Sequence, residues 1–553
     1  MDGTITGISG STLTVAISGV KLYDMLLVGH AGLVGEVVRL EREKAIVQVY
    51  ENTLGLGVGE PVAGTGRQLT VTLGPGLVST MFDGLQRPLE RMRAAVGSFI
   101  RPCRDIPPLD TGTEWNFEPD RKSGDEVTAG EVIGRIREGE FVHLVTAPRA
   151  GRLEQVQSGT CTLTGPVALF ADGSEVFAQQ QWPVRRPRPF RRKLPPVLPL
   201  VTGQRVIDFL FPLVRGGTAI FPGGFGTGKT ILEQTIAKFA DADLVVYVGC
   251  GERGNEMAEL LEEFRSLKDQ RTGASLLSRT IVVVNTSNMP VAAREASIYT
   301  AVTMAEYYRD LGLHVLLLAD SISRWGEALR EISSSLEEMP GEEGYPTYLS
   351  SRLAAFFERA GAVETLNGAI GSLTMILSVS PPGGDFSEPV TQACLRTTGV
   401  FLMLDTALAH SRHFPAINWS QSYSLYAAGV TGHFTAQVSP DWGEMQQRCR
   451  ELLQREATLR EVAEIVGAEG LQDADRLLMM TTERIRSEFL RQNAYSDDAF
   501  CSPEQTAARM GAILGAYDRA EAGLKQGLPL DEALGAERDV QSCSRSTRGV
   551  YET

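Results

Sequence analysis

The chain has 553 residues and a formal net charge of −15, with 43% apolar and 22% charged residues. This length predicts three or four domains, and the composition is typical of a globular protein and excludes a disordered or fibrous one. The acidic excess argues against a nucleic-acid backbone as the main partner, because proteins that bind one carry a basic face.

The seven cysteines are scattered without a C-x-x-C pair, and the six histidines lack zinc-ligand spacing, so we expect free thiols in a reducing compartment. No apolar run approaches the ~20 residues that cross a bilayer. The first residues, "MDGTITGISG", have neither the basic nor the apolar region of a signal peptide. We therefore expect a cytoplasmic protein that is peripheral to a membrane only if other chains provide the membrane part.

The N-terminal half is rich in predicted strands. Residues 1–66 alternate apolar with polar positions, as in "STLTVAISG" and "KAIVQVYE", which predicts a small antiparallel β-barrel. Residues 67–110 begin the core or connect to it. A second strand-rich block, 111–181, contains "KSGDEVTAGEVIGRI", which is similar to biotinyl and lipoyl carrier domains. No lysine with the flanks of a modified hairpin follows, so we interpret this block as an inserted β-rich domain.

The pattern changes after a segment rich in Pro and Arg, "WPVRRPRPFRRKLPP" (182–196), which predicts an extended connector. A nucleic-acid-binding arm is the alternative, but no aromatic stacking platform accompanies it. Across a core at 182–438, apolar runs such as "DLVVYVGC" and "HVLLLADS" alternate with amphipathic stretches, which predicts βαβ units around a buried parallel sheet. Residues 439–553 are predicted to be helical.

The segment "GGFGTGKT" predicts a loop that binds phosphate between a strand and a helix. Its glycines let backbone amides approach phosphate oxygens closely. Lys229 supplies a charge for the β- and γ-phosphates, and Thr230 offers a hydroxyl to Mg²⁺. We therefore expect a nucleoside di- or triphosphate with Mg²⁺ as the ligand. The residues expected to contact the nucleotide here are Gly223, Gly224, Phe225, Gly226, Thr227, Gly228, Lys229, Thr230 and Ile231.

Carboxylates follow two predicted strands. Asp320 ends "HVLLLAD", and Glu252 lies in "GCGERGNE" after the strand that follows the phosphate loop. Because parallel strands end at one edge of their sheet, Asp320 is predicted to reach the Mg²⁺ shell and Glu252 to polarise the attacking water. Arg253 would hold Glu252 or contact phosphate, and Glu256 would reach Mg²⁺ through water. The alternative is that these acids only cap a strand or a helix N-terminus.

Seven long segments carry a family resemblance: "LGPGLVSTMFDGLQRPLE" (73–90), "WPVRRPRPF" (182–190), "GQRVIDFLFPLVRGGTAIFPGGFGTGKT" (203–230), "YVGCGERGNEM" (247–257), "EEMPGEEGYPTYLSSRLAAFFERAG" (337–361), "SVSPPGGDFSEPVTQ" (378–392) and "RHFPAINWSQSYS" (412–424). With them the chain resembles the catalytic A subunit of V-type and archaeal A-type rotary ATPases over almost its whole length. The resemblance implies a multidomain α+β fold. It would have an N-terminal β-barrel, an inserted β-rich domain, a RecA-like P-loop core with a parallel sheet, and a C-terminal helical domain.

The resemblance also implies roles for single residues. Lys229 and Glu252 would be catalytic, with Arg253 at the γ-phosphate. The adenine pocket of the family is aromatic, since stacking needs a flat apolar face. The candidates for that pocket are Phe414, Tyr495 and Phe500. The residues assigned to the Mg²⁺ shell or to the same edge are Thr230, Asp320, Glu256 (through water) and Arg324.

Function and partners follow from the same resemblance. It implies ATP hydrolysis or synthesis coupled to proton or sodium ion transport, in a ring of three copies that alternate with three noncatalytic B-type subunits. Central-stalk and peripheral-stalk subunits and a separate membrane sector would complete the machine, without nucleic acid. The alternatives are a homohexameric export ATPase, which would lack the inserted domain, and a Rho-like RNA translocase, which would need basic, aromatic RNA-binding faces. A noncatalytic nucleotide-binding subunit would be expected to lack Lys229 or Glu252, and both are present.

The sequence departs from the family pattern at two places. Ile322 stands in "ADSISRW" where a small hydroxylated residue is usual, which is expected to alter the packing behind the predicted Mg²⁺ carboxylate. The tail "AERDVQSCSRSTRGVYET" (536–553) is unlike the usual ending and leaves the C-terminal contacts open.

Overall fold

The structure is a computed structural model that describes residues 2–97, 106–269, 272–467 and 470–534. The unusual C-terminal tail, Cys103 and Cys543 lie outside the described residues. The chain divides into two compact units: unit 1 contains the described residues up to Pro196, Arg215–Gly224 and Ala242–Gly399, and unit 2 contains Val197–Val214, Phe225–Asp241 and the described residues from Val400 onward.

An antiparallel barrel forms the N-terminal part of unit 1. Its strands are β1 (Asp2–Ser9), β2 (Thr12–Ala16), β3 (Asp24–Val28), β4 (Leu33–Glu41), β5 (Lys44–Val49) and β6 (Pro61–Gln68). They close in the order β1-β2-β5-β4-β3-β6. Alternate side chains, such as Leu13, Val15, Val37 and Val47, fill the interior and are fully buried. The alternating sequence pattern therefore becomes a barrel with one apolar and one polar face.

A β-rich block follows β7 (Thr70–Leu73), β8 (Met81–Phe82) and α1 (Leu89–Val96). Its strands are β9 (Trp115–Pro119), β10 (Glu126–Val127), β11 (Val132–Glu138), β12 (Phe141–Thr146), β13 (Gly151–Val156), β14 (Gly159–Cys161), β15 (Pro166–Phe170) and β16 (Glu175–Phe177). They form two sheets, ordered β10-β13-β15-β16 and β12-β11-β9-β14. The next strand, β17 (Gln180–Pro183), pairs with β7, so the block is inserted between two strands of one ladder.

Buried ion pairs anchor the Arg-rich connector. Arg185 lies between two carboxylates, with its Nη2 at 2.8 Å from Glu36 of the barrel and 2.7 Å from Glu295. Arg188 donates from Nε to Asp310 at 2.6 Å. Both guanidinium groups are therefore satisfied within unit 1, which does not support the alternative of a nucleic-acid arm. The chain then forms β18 (Arg192–Leu194), β19 (Pro199–Leu200) and β20 (Leu213–Val214).

A parallel sheet is the core of unit 1. In chain order, the next elements are β21 (Thr218–Pro222), α2 (Lys229–Phe239, in unit 2), β22 (Leu244–Glu252), α3 (Gly254–Ser266), β23 (Thr280–Thr286), α4 (Val291–Asp310), β24 (His314–Asp320), α5 (Ile322–Ser335), α6 (Leu349–Phe357), β25 (Gly361–Glu364), β26 (Ile370–Val379) and α7 (Pro389–Leu395). Six strands run parallel in the order β21-β26-β24-β22-β23-β8. The β22 residues from Leu244 to Val248 are fully buried, as expected for a sheet covered on both faces.

Unit 2 is mainly helical. Its remaining elements are β27 (Val400–Phe401), α8 (Thr406–His410), β28 (Tyr423–Ser424), α9 (Ala427–Gln437), α10 (Trp442–Val466), α11 (Asp473–Arg484) and α12 (Pro503–Lys525). Trp442 is fully buried and its ring contacts Phe209 and Phe434, with centroids 5.1 and 4.5 Å away. The predicted fold class, from barrel to helical C-terminal region, is confirmed. No helix in the described part of the chain is both long enough and apolar enough to span a bilayer.

Candidate active site

The carboxyl edge of the parallel sheet gathers three predicted elements of the site. In the strand register Pro222 pairs with Val379, and Gly249 pairs with Asp320. The N–H of Gly223 donates to the carbonyl of Val379 at 3.1 Å, so the phosphate loop leaves the sheet at this edge. β22 ends at the same edge with Glu252. Parallel strand order alone therefore brings the start of the loop, Asp320 and Glu252 to one side of unit 1.

Glu252 is surrounded by other carboxylates. Its pKa is raised from 4.5 to about 7, first by burial and then by the negative charges of Asp320 and Glu256, while the Arg324 guanidinium opposes the rise. When Glu252 is protonated it can donate a hydrogen bond to the Glu256 carboxylate, which also raises the pKa of Glu252. Because ionisation of Glu252 adds a third negative charge to this edge, the site favours a cation or a proton there.

Asp320 is held in place by a hydroxyl that sequence reasoning missed. The Ser378 Oγ donates to Asp320 Oδ1 at 2.5 Å, and both residues are at least 95% buried. Ser378 lies in β26, which pairs with β24. The signal in the sequence was a hydroxyl near the end of the apolar run "GSLTMILSVS". Ile322, the residue that departs from the family pattern, is fully buried at the start of α5.

The two arginines of this edge pair with other acids than Glu252. Arg253 is exposed and contacts Glu256, with Nη1 at 3.7 Å from the carboxylate. Arg324 donates from Nη1 to both oxygens of Glu327 at 2.9 Å. This hydrogen bond and the Glu327 charge raise the pKa of Arg324. Arg253 therefore does not pair with Glu252, and the Arg253 guanidinium is exposed to solvent.

Two glycines of the phosphate loop adopt a backbone conformation that other residues avoid. Gly226 and Gly228 have φ of +78° and +83°, a region that side chains with a Cβ avoid. Helix α2 begins at Lys229, so Lys229 and Thr230 occupy its first turn, and the N-terminus of a helix favours an anion. Phe225 is 91% exposed.

The three aromatic candidates differ in their surroundings within unit 2. The Phe500 ring lies against Phe239 of α2, with centroids 5.5 Å apart. Phe414 is tied through its backbone, because its carbonyl accepts from the N–H of Gln492 at 2.6 Å. Tyr495 is 85% exposed. A buried arginine that sequence reasoning missed, Arg205, holds this segment by donating to the carbonyls of Phe489 and Arg491 at 2.6 Å and to Asp498.

The carboxylates of the site suit a metal ion that phosphate oxygens of a bound nucleotide would also hold. Among the described residues, no group of three His, Cys, Asp or Glu side chains is arranged to hold a metal ion. Mg²⁺ in nucleotide sites is usually held by one or two protein oxygens together with phosphate oxygens and waters. The crowded carboxylates at Glu252 fit such an ion, because they leave negative charge that a bound cation offsets.

A phosphate loop that leaves the carboxyl edge of a parallel sheet, with a carboxylate at the end of the strand that follows in sequence, defines a nucleotide-binding α/β domain of the P-loop class. Sequence models of the ATP synthase alpha/beta family match the chain in order: the beta-barrel domain at 5–66, the barrel-sandwich domain at 106–185 and the nucleotide-binding domain at 203–424. The C-terminal domain of V and A type ATP synthase matches 431–534. The chain belongs to the ATP synthase alpha/beta family.

Relatives that match over nearly the whole chain show which subunit of this family the chain resembles. The chain is 51% identical over 538 residues to an A subunit of the A-type ATP synthase of Methanospirillum hungatei, covering 96% of this chain and 92% of the relative. It is 52% identical over 545 residues to the V-type ATP synthase alpha chain of Anaeromyxobacter sp. strain K, covering 97% and 94%. The A subunit of the A-type ATP synthase of Methanosarcina barkeri is 50% identical over 539 residues, covering 97% and 93%. The predicted resemblance to A subunits is confirmed.

The fold extends to a more distant ATPase. The assembled ATPase EscN from the type III secretion system of enteropathogenic E. coli superposes with a TM-score of 0.68, covering 93% of this chain and all of EscN. The sequence identity is 21%, so this similarity shows a common fold alone.

The charge at Glu252 predicts a dependence of stability on pH. Folding raises the pKa of Glu252 from 4.5 to about 7, so its contribution to stability is present below about pH 4.5 and is lost as the pH rises through 7. Glu252→Gln removes this loss. We expect the variant to raise the Tm of the nucleotide-free chain at pH 8 and to change it little at pH 5, as measured by thermal denaturation.

The matched control is Glu259→Gln, which changes an exposed glutamate of α3, the helix that follows Glu252, and should leave the Tm difference between the two pH values unchanged. An equal effect of Glu252→Gln at pH 5 and pH 8 would contradict the crowding of carboxylates.

Proposed function

We propose that the chain is the catalytic A subunit of a rotary ATPase that hydrolyses or synthesises ATP, coupled to proton or sodium ion transport through other subunits. The observation that carries the proposal is Glu252, a largely buried carboxylate at the sheet edge where the phosphate loop begins, with its pKa raised to about 7. A carboxylate that accepts a proton near neutral pH suits the orientation and polarisation of an attacking water.

Each of the other residues has a role in the same reaction. Lys229 contacts the β- and γ-phosphates, while the backbone N–H groups from Gly223 to Ile231 surround them. Thr230 and Asp320 would hold Mg²⁺, and Glu256 would reach it through water. When bound, Mg²⁺ neutralises phosphate charge that develops during transfer. Arg253 contacts phosphate, and Arg324 belongs to the same edge; in this structure their charges face Glu256 and Glu327.

The adenine pocket is proposed from aromatic residues of unit 2. Phe500 supports the proposal best, because its ring contacts Phe239 of the helix that begins with Lys229. Phe414 is the second candidate and Tyr495 the third, whose exposed ring is available to a ligand.

The partners follow from the relatives, which are subunits of A-type and V-type ATP synthases. We propose an alternating ring of three copies of this chain and three noncatalytic B-type subunits, with central-stalk and peripheral-stalk subunits and a membrane sector. The chain would then work at the cytoplasmic side of a membrane without crossing it. The proposed domains are those predicted from the sequence, with boundaries at 66, 110, 181 and 438. The identity of about half over nearly the whole chain favours this assembly over an export ATPase, which shares the fold at 21% identity.

Glu252→Gln should separate binding from turnover. The amide keeps the shape of the side chain and loses its basicity, so ATP affinity should stay nearly unchanged while turnover falls by ~10²–10⁴-fold. Lys229→Ala is the matched comparison and should weaken Mg-ATP binding as well as turnover, since its charge contacts phosphate in both the ground and the transition state. Nucleotide affinity and steady-state turnover of both variants measure this difference. Normal turnover of Glu252→Gln would remove Glu252 from the mechanism.

The chain alone should be a poor enzyme. Ring ATPases of this kind commonly need an arginine that the neighbouring protomer provides to the γ-phosphate, a contribution of ~10³–10⁵-fold in rate. We expect the purified chain to bind Mg-ATP and hydrolyse it slowly, and the addition of a B-type subunit to restore turnover as a hexamer of alternating subunits forms. The measurement is ATPase activity with oligomeric mass followed in parallel. Full activity of a monomer or homohexamer would favour the export ATPase instead.

A further inference from the structure

The backbone that carries Glu252 depends on an arginine outside the predicted site. Arg294 lies in the first turn of α4, after the strand next to β22, and is 7% exposed. Its Nη2 donates to the carbonyl of Ser287 at 3.0 Å. The N–H of Ser287 in turn donates to the carbonyl of Glu252 at 2.9 Å. Two consecutive hydrogen bonds therefore connect the Arg294 guanidinium to the main chain of Glu252.

A second contact acts on the residue before Glu252. Gly251 has φ of +76°, and a methyl group on it would approach Cβ of Arg324 to 2.7 Å and Cδ of Arg294 to 3.2 Å. The backbone at Gly251 therefore passes between the aliphatic parts of Arg324 and Arg294, which leave little room there for a Cβ. The Arg324 guanidinium goes on to Glu327, whereas that of Arg294 turns back to the Ser287 turn. The stem of Arg294 thus lies beside Gly251, and its head group is connected to Glu252 through Ser287.

The backbone of Arg294 adds a third connection. Its carbonyl accepts from Ser297 Oγ at 2.7 Å and from the thiol of Cys250 at 3.7 Å. Cys250 is fully buried and two residues before Glu252. The Nε of Arg294 is buried without a hydrogen-bond partner among the described residues, so burial of this group has a cost that local packing must offset. Arg294 is thus buried at a cost in free energy next to the end of β22, which carries the proposed catalytic residue Glu252. This cost favours a role for Arg294 beyond stability.

We infer that Arg294 is a positioning residue for Glu252, which fixes the main chain of residues 251–252 through Ser287 and through its own stem. The inference rests on the proposed catalytic role of Glu252. The hydrogen bonds of Arg294 go to Ser287, Ser297 and Cys250, which lie outside the phosphate loop. Loss of Arg294 should therefore misplace Glu252 and leave nucleotide binding intact. Misplacement of a catalytic group by about 1 Å can cost ~10²-fold in rate.

The test compares Arg294→Met and Arg294→Lys in the alternating ring assembled with the B-type subunit, with Mg-ATP as the probe. Methionine keeps an apolar stem and loses the donor, so we expect kcat to fall by ~10–100-fold with KM changed by less than about threefold. Lysine keeps the stem and one charged donor and should recover a substantial part of the lost kcat. Arg265→Met, which removes an exposed arginine paired with Glu90 on the surface, is the matched control and should leave kcat and KM unchanged.

The outcomes decide between the inference and the proposed function. If Arg294→Met keeps kcat within about twofold per assembled ring, or lowers only the Tm, then Arg294 is structural and the inference is wrong. If Arg294→Met does not assemble, Arg294→Gln, which has a shorter and neutral side chain, decides: a kcat decrease at unchanged KM supports the inference, and a normal kcat overturns it. Glu252→Gln in the same assay separates the two claims, because normal turnover of that variant overturns the proposed function itself.

Discussion

Burial of Glu252 beside other carboxylates at the end of β22 is the constraint on which the site depends. Burial together with Asp320 and Glu256 raises the pKa of Glu252 to about 7, and Arg324 offsets only part of that effect. An edge with this much acid favours a bound cation, and a buried carboxylate with a near-neutral pKa can exchange a proton with water. The negative charge that would favour the proposed Mg-nucleotide at this edge therefore also makes the edge costly without a ligand.

Strand pairing, a buried hydrogen bond and buried ion pairs within unit 1 hold these carboxylates in place. Parallel pairing of β21, β26, β24 and β22 sets the strand ends side by side, and Ser378 fixes Asp320 from the neighbouring strand. The N-terminal end of α4 is tied to the rest of unit 1 by Glu295, which pairs with Arg185, while Arg185 also pairs with Glu36 of the barrel. Arg294 stands next to Glu295 in α4, so the helix that positions the Glu252 segment is itself held by a buried ion-pair cluster.

The sequence predicted what depends on local pattern. Alternation along residues 1–66 predicted the barrel, and the segment "GGFGTGKT" predicted a loop between a strand and a helix, which is where β21 and α2 place it. Asp320 and Glu252 were placed at one edge because parallel strands share their direction. Arg253 was predicted to hold Glu252 or to contact phosphate. The structure pairs its exposed guanidinium with Glu256, and the phosphate contact stays a prediction. Ser378, Arg205 and Arg294 were missed because their partners lie far away in sequence, where no motif spacing indicates contact.

The most direct test of the charge at this edge is calorimetry of Mg-ADP binding at pH 7 in buffers of different ionisation enthalpy. If a bound cation lowers the pKa of Glu252 from about 7, binding releases a fraction of a proton, and the observed enthalpy changes with the buffer. The account predicts that this proton release is present in the native chain and absent in Glu252→Gln. Equal proton release by both proteins, or none by the native chain, would contradict it.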